Sequence, residues 1–219
     1  MNIQVVIIAH GNAIAVFKQH EKFWLAHKAP LLVICPDNDP LESAHETLKL
    51  FKADHSGVNA AARLKQMLHE LDKRSWETCV IYEYDSFILD AKLPAQNGFH
   101  GILMENLEVP RSRFIAPTYG NPPWTFDRHS FDLMLAKAIE FPEATEEGYA
   151  DRYLSALAFL AGVPIMDYHP PGFTRGTITK RDLGQVRAAI YDKATAFHGI
   201  KQDWILRAVE QFYDEANPS

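Results

Sequence analysis

Short, continuous runs of apolar residues recur along the first ninety positions of the chain. Residues 3–9, IQVVIIA, and residues 31–35, LLVIC, are rich in β-branched side chains and are followed by HGN and PDNDP. Apolar runs of this length, bounded by turn residues, are typical of strands that are buried on both faces of a sheet. We therefore predict two central strands there, and a third over residues 77–89, ETCVIYEYDSFIL.

Apolar residues at helical spacing fill the segments between these strands. We predict amphipathic helices over residues 12–27 and 57–73. The second helix would carry one apolar face, made of Leu64, Met67, Leu68 and Leu71. Parallel neighbours need a crossover, so an order of strand, helix and strand predicts a mostly parallel sheet flanked by helices. The expected fold class is α/β.

The pattern becomes less regular after Asp90. Residues 91–130 contain LPAQNG, VPRSR and APTYGNPPW, which predict loops and short strands. Beyond them we predict helices at 130–141, 149–162, 182–194 and 202–214, a strand at 163–169 and a polar loop over 170–182. Gly162 stands where helices commonly end. No segment indicates a linker, so we expect a single domain over residues 1–219.

Composition and charge narrow the class of protein. The chain has 219 residues, 47% of them hydrophobic and 23% charged, as in ordinary globular proteins. A net charge of −6 disfavours nucleic-acid binding, and no apolar run approaches the length of a membrane span. We expect no secretory signal and a cytoplasmic location. Cys35 and Cys79 lie in apolar runs, which predicts buried thiols without a disulfide.

Two acids, Glu83 and Asp85, follow the apolar part of the predicted third strand. Ligands of open α/β sheets bind beyond the carboxyl ends of the strands. Residues two apart on a strand point to the same side, and two carboxylates placed together repel unless a cation lies between them. Mg²⁺ commonly uses one or two carboxylates together with substrate phosphates. The pair therefore predicts a cation site, although two solvated acids at a strand end are a common alternative.

The run SGVNAAARLKQMLHELDKRSWETCVIYEYDSFIL resembles the nucleotide-sugar half of family 2-type, GT-A glycosyltransferases. In that family a glycine, an Ala-Arg pair opening a helix and an apolar strand ending in Asp-x-Asp follow one another. Gly57, the pair Ala62-Arg63 and the triplet Glu83-Tyr84-Asp85 match them, with Glu83 replacing the first Asp. The resemblance implies a GT-A fold, with a nucleotide-binding half at 1–90 and an acceptor-binding half at 91–219.

Two later segments extend the resemblance. ADRYLSALAFLAG (150–162) resembles the segment that holds the catalytic base, which implies Asp151 as base, with Ala150 in place of the usual Glu and Glu147 as the alternative base. FHGIK (197–201) resembles the late His-x-x-Lys segment. It implies His198 as a third metal ligand and Lys201 as a contact to the diphosphate. The implied metal is Mn²⁺ or Mg²⁺, and imidazole suits Mn²⁺ better.

Further residues fall where the family contacts its substrates. Asp37 and Asp39 would meet the base or ribose, although turn chemistry also explains them. His10 and Gly11 end the first strand, where glycine allows a ligand to approach the backbone. Arg63 would pair with the diphosphate or with an acid near the metal, unless it is a surface arginine. In the same way, Tyr119 and Trp124 would stack on sugar faces, unless they pack within the loop.

The expected function is metal-dependent transfer of a sugar from a nucleotide-diphosphate sugar to a hydroxyl acceptor, with inversion at the anomeric carbon. One alternative is a nucleotidyltransferase. Such enzymes usually carry a glycine-rich loop with a basic residue after the first strand, and the segment HGNAIAVFK fits that pattern poorly. Another is a non-catalytic protein that binds a nucleotide sugar or a protein partner, and the departures at Glu83 and Ala150 keep this alternative open. The chain contains no Walker A pattern and no Gly-x-Gly-x-x-Gly fingerprint.

Overall fold

A computed structural model describes most of the chain. The described residues are 2–8, 21, 31–36, 46–51, 60–83, 86–88, 94, 96–105, 116, 118–141, 150–169, 172–174, 177–194 and 196–218. Within them the strands are β1 (Ile3–Ile8), β2 (Leu31–Pro36), β3 (Glu46–Phe51), β4 (Thr78–Glu83), β5 (Ser86–Ile88), β6 (Phe99–Glu105), β7 (Thr118–Asp127), β8 (Ile165–Asp167), β9 (Gly172–Thr174) and β10 (Ala196–His198). The helices are α1 (Ala60–Asp72), α2 (Arg128–Glu140), α3 (Ala150–Ala161), α4 (Leu183–Tyr191) and α5 (Asp203–Ala216), with a short 3-10 helix at Lys180–Asp182.

Seven strands form one mixed sheet in the order β3-β2-β1-β4-β7-β6-β8. All neighbouring pairs are parallel except the two that β7 makes with β4 and β6. The predicted α/β class and mostly parallel sheet are therefore confirmed. A second sheet has three strands in the order β5-β10-β9.

The central strands form where the sequence predicts them, because both faces of the sheet are covered. Val5, Val6 and Ile7 are consecutive in β1, and none of them is exposed. Consecutive burial is what a strand covered on both faces requires. The predicted apolar face of α1 is also buried, and so are both free cysteines.

Two hydrophobic clusters organise the described residues. The larger one joins the seven-stranded sheet to α1, α2 and α3, and includes Leu68, Trp124 and Tyr153. The second cluster joins α4, α5 and β10, with Phe197 and Leu206 among its buried members. None of the described helices is both long and apolar enough to cross a membrane.

The single strand predicted over residues 77–89 is wrong. The chain leaves the seven-stranded sheet at Glu83, the last residue of β4, and enters the small sheet at Ser86, the first residue of β5. An apolar run on either side of the acids gives no local sign that the two parts pair with different strands. Glu83 thus ends a strand, as expected, while Ser86 begins a new one.

The region expected to hold loops and short strands contains β7, the longest of the strands that the structure describes. β7 includes Pro122 and Pro123, and proline cannot donate a ladder hydrogen bond. Neither proline needs to donate one. Pairing with β4 includes Ile81 and Trp124 but neither proline, and the register with β6 shifts between His100 and Ile102. The proline signal therefore marks a local irregularity within the strand.

The remaining boundaries differ by a few residues. α2 and α3 closely match the predicted helices, and Gly162 follows α3 with a φ of 68°, a left-handed conformation that favours glycine. β8 is shorter than the predicted strand at 163–169. The predicted polar loop over 170–182 contains β9 and the 3-10 helix. Of the predicted helix 12–27, only Glu21 is described, and it is helical.

Candidate functional site at the carboxyl edge

The carboxyl ends of β1, β2 and β4 lie at one edge of the large sheet. Ile8, the last residue of β1, pairs with Ile34 of β2 on one side and with Glu83 of β4 on the other. The strand order reverses here, because β2 and β3 continue to one side of β1 while β4 lies on the other. Open α/β sheets bind ligands outside the carboxyl ends of the strands at such a reversal. Glu83, which is half-buried, therefore ends β4 beside this crevice.

The small sheet brings β10, which ends at His198, next to the segment that follows the acid motif Glu83-Tyr84-Asp85. β10 runs antiparallel to β5, and His198 pairs with Ser86 in the backbone register. Ser86 is buried and comes one position after Asp85 in the sequence. The backbone of His198 is thus adjacent to the segment that begins three residues after Glu83. The side chain of His198 and the whole of Asp85 lie outside the described residues.

A glycine turn follows β10 and leads to Lys201. Gly199 has a φ of 94°, a backbone conformation that residues other than glycine rarely adopt. Its carbonyl accepts the N–H of Ile178 at 2.8 Å. Ile200 is buried, and Lys201 is exposed. The glycine in the FHGIK segment is therefore required by the backbone itself.

The N-terminal end of α1 points to the same edge. Just after α1, the guanidinium of Arg74 binds the carboxylate of Glu46, the first residue of β3, so α1 ends at the amino edge. Its 13 residues rise about 19 Å, close to the length of a six-residue strand. Arg63, in the first turn, consequently lies towards the carboxyl edge. Arg63 is half-buried, and burial lowers the pKa of its guanidinium.

The first turn of α3 carries Asp151 to this edge as well. The segment after α3 lies at the amino edge, where the carbonyl of Pro164 accepts the N–H of Phe99 at the start of β6. At the other end, the Cζ atom of Arg152 lies 5.9 Å from the ring centroid of Tyr119. Tyr119 pairs with Met104 near the end of β6, so the helix begins at the carboxyl edge. The side chain of Asp151 lies outside the described residues.

The expectation that Trp124 stacks on a sugar is wrong. Its side chain is only 1% exposed, and its Nε1–H donates to the carbonyl of Gly120 at 2.6 Å. Trp124 therefore belongs to the core. Tyr119, by contrast, is partly exposed and lies at the carboxyl edge.

Six of the predicted site residues lie outside the described residues: His10, Gly11, Asp37, Asp39, Asp85 and Glu147. Among the side chains that are described, no three from His, Cys, Asp and Glu converge into a metal site. Two of the three predicted metal ligands, Asp85 and the side chain of His198, lie outside the described part of the chain.

Sequence reasoning missed Ser155, a completely buried residue of α3 that binds the backbone of β7. Its position four residues after Asp151 was a usable signal, because such residues share a face of a helix. The pairing of β10 with β5 was also missed, since strands so distant in sequence leave no local pattern.

The chain was compared with known proteins. No protein-family model matches it, and no curated protein does so either.

Proposed function

We propose that this protein is a GT-A type glycosyltransferase that moves a sugar from a nucleotide-diphosphate sugar to a hydroxyl acceptor. One observation carries the proposal. The β10–β5 pairing aligns His198 with the segment that follows Glu83 and Asp85, and Glu83 ends β4 beside β1. Those residues match the acid motif and the late histidine of the family that the sequence resembles.

The proposed donor site lies along the carboxyl edge. Glu83, Asp85 and His198 would hold Mn²⁺ or Mg²⁺, and such an ion would supply positive charge for the diphosphate. Arg63 and Lys201 add positive charge for the phosphates. His10, Gly11, Asp37 and Asp39 follow β1 and β2 in the sequence and contact the nucleotide.

The proposed acceptor site adjoins the first turn of α3. Asp151 accepts the proton of the acceptor hydroxyl while its oxygen attacks the anomeric carbon, and Glu147 is the alternative base. Such a base must be within hydrogen-bond reach of the hydroxyl. A single displacement of this kind inverts the anomeric centre.

The test is calorimetric titration of UDP and GDP into the protein, with and without Mn²⁺. Wild type, Glu83→Gln and Asp85→Asn are compared with the control Glu70→Gln, a carboxylate that pairs with Lys73 near the other end of α1. We expect Mn²⁺-dependent binding in wild type and in the control. Each ligand variant should bind at least about tenfold more weakly, because a charged metal ligand is lost.

Turnover of UDP- and GDP-sugars separates the transferase from its alternative. Nucleotide release that depends on Mn²⁺ and on Asp151 supports the transferase. Metal-dependent binding without turnover of any donor favours the non-catalytic nucleotide-sugar-binding protein instead. Failure of both nucleotides to bind under all conditions contradicts the proposal.

A further inference from the structure

A hydrogen bond to Ser155 connects α3 to the start of β7. Its side chain is fully buried, and its Oγ accepts the N–H of Gly120 at 3.0 Å. One residue earlier on β7, the ring of Tyr119 is approached by the guanidinium of Arg152. The first half of α3 is therefore attached to β7 at two adjacent points.

The backbone of Gly120 is a fixed partner for Ser155. Its carbonyl accepts the Nε1–H of Trp124, so side chains bind both of its backbone polar groups. A Cβ atom at Gly120 would lie 3.2 Å from the Cα of Gly101, which shows how closely β6 and β7 approach here. Movement of Gly120 would disturb the strand, the Trp124 contact and the Ser155 contact together.

Asp151 lies one helical turn from this anchor. Four residues span about one turn of an α-helix, so the backbone of Asp151 lies one turn nearer the carboxyl edge than Ser155. We propose that Ser155 is a positioning residue, which fixes the first turn of α3 so that Asp151 meets the acceptor hydroxyl. This inference rests on the proposed function, in which Asp151 is the general base.

The expected effect falls on turnover and leaves nucleotide binding intact. Misplacement of a catalytic group by about 1 Å can lower the rate by about a hundredfold. Ser155→Ala removes the hydroxyl that holds Gly120, and we expect kcat to fall by roughly 10- to 100-fold. The Kd for UDP or GDP with Mn²⁺ should stay at the wild-type value, because the proposed donor site is formed by other elements.

The experiment compares Ser155→Ala and Ser155→Cys with Ser155→Thr. Sulfur is a weak acceptor, so the Cys variant should behave like the Ala variant, and it provides a second test should Ser155→Ala not fold. Ser155→Thr keeps a hydroxyl and should recover turnover. Thr125→Val is the matched control, since the buried Oγ1 of Thr125 makes no hydrogen bond within the described residues. Turnover is measured with the UDP- or GDP-sugar that wild type consumes.

Three outcomes overturn the inference. Wild-type kcat in both Ser155→Ala and Ser155→Cys would mean that Asp151 does not depend on the anchor. A parallel loss of kcat and nucleotide affinity would indicate a general structural effect. Absence of turnover in wild type itself, with or without nucleotide binding, would reject the proposed transferase and, with it, this role. That failure is distinguished from one confined to the variants.

Discussion

Several buried polar groups near β7 form hydrogen bonds with individual side chains. Trp124 and Ser155 bind Gly120, and the carboxylate of Asp127 accepts the N–H of Gly98 at 2.8 Å and the Oγ–H of Ser130 at 2.6 Å. Buried polar groups without partners are costly, so each of these contacts stabilises the local backbone. The sequence left open whether Trp124 stacks on a sugar or packs within a loop, because an aromatic in a proline-rich stretch gives no sign of its depth.

His100 makes the free energy of unfolding depend on pH. Burial lowers the pKa of its imidazole below 6.5, although the carbonyl of Gln96 and the charge of Asp127 oppose this effect. The unfolded chain therefore binds a proton at higher pH than the native protein. The contribution of His100 to the free energy of unfolding is therefore fully present above about pH 6.5. It declines as the pH falls towards the pKa of His100 in the native protein.

We expect His100→Gln to flatten this decline. Urea unfolding at pH 7 and pH 5 should show a smaller loss of unfolding free energy in the variant than in wild type. The difference should remain below the one-proton slope of about 1.4 kcal/mol per pH unit. Exposed His129 on α2 provides the control His129→Gln, which should retain the wild-type slope; equal slopes in all three proteins would contradict the assignment.

The elements that the sequence predicted are those defined by local periodicity. β1, β2 and α1 each carry enough apolar residues at a regular spacing to identify themselves. The division of residues 77–89 into β4 and β5 was not predictable in this way, because it depends on which distant strand each half meets. The same reasoning applies to the candidate site: the acids were found from a local pattern, while the adjacency of His198 to Ser86 required the fold.

Gly101 tests the close approach of β6 and β7. A Cβ atom there would lie 2.9 Å from the carbonyl oxygen of Asn121 and from the Cα of Gly120, and both are backbone atoms that cannot turn aside. We expect Gly101→Ala to lower the free energy of unfolding by about 1–3 kcal/mol, in the range of other overpacked sites. Urea denaturation measures the change.

The matched control is Gly184→Ala in α4. Nothing lies within 4 Å of a Cβ atom at Gly184, so alanine should stabilise the helix by about 0.5–1 kcal/mol. Opposite signs for the two variants are expected. A neutral or stabilising Gly101→Ala would show that the strands separate easily at this point.

At the scale of the whole molecule, the second hydrophobic cluster, around α4, α5 and β10, supports β10 and is called the C-terminal cluster below. The large cluster supports β4. Phe197 is completely buried in the C-terminal cluster and stands beside His198. Packing around α4 and α5 consequently fixes the strand that pairs with β5, which begins one residue after Asp85. The prediction of one domain over residues 1–219 implies that the two clusters unfold together.

Leu206→Ala and Leu68→Ala test that cooperation. Each removes a buried leucine, from the C-terminal and the large cluster respectively, and each should cost about 2–5 kcal/mol. A single domain predicts that both variants shift one common transition, seen by far-UV circular dichroism and by tryptophan fluorescence. An early, separate transition that appears only in Leu206→Ala would show two independently unfolding units.

The pairing of β5 with β10 can form only late in the synthesis of these residues. More than one hundred residues separate Ser86 from His198, so the two strands can meet only after synthesis has passed residue 198. Contacts between such distant segments form slowly, because the intervening chain must first be ordered. The large sheet can assemble most of its strands earlier, from residues up to Asp127. A nascent chain would therefore hold its acid motif on a nearly complete sheet while still lacking the strand that brings the histidine.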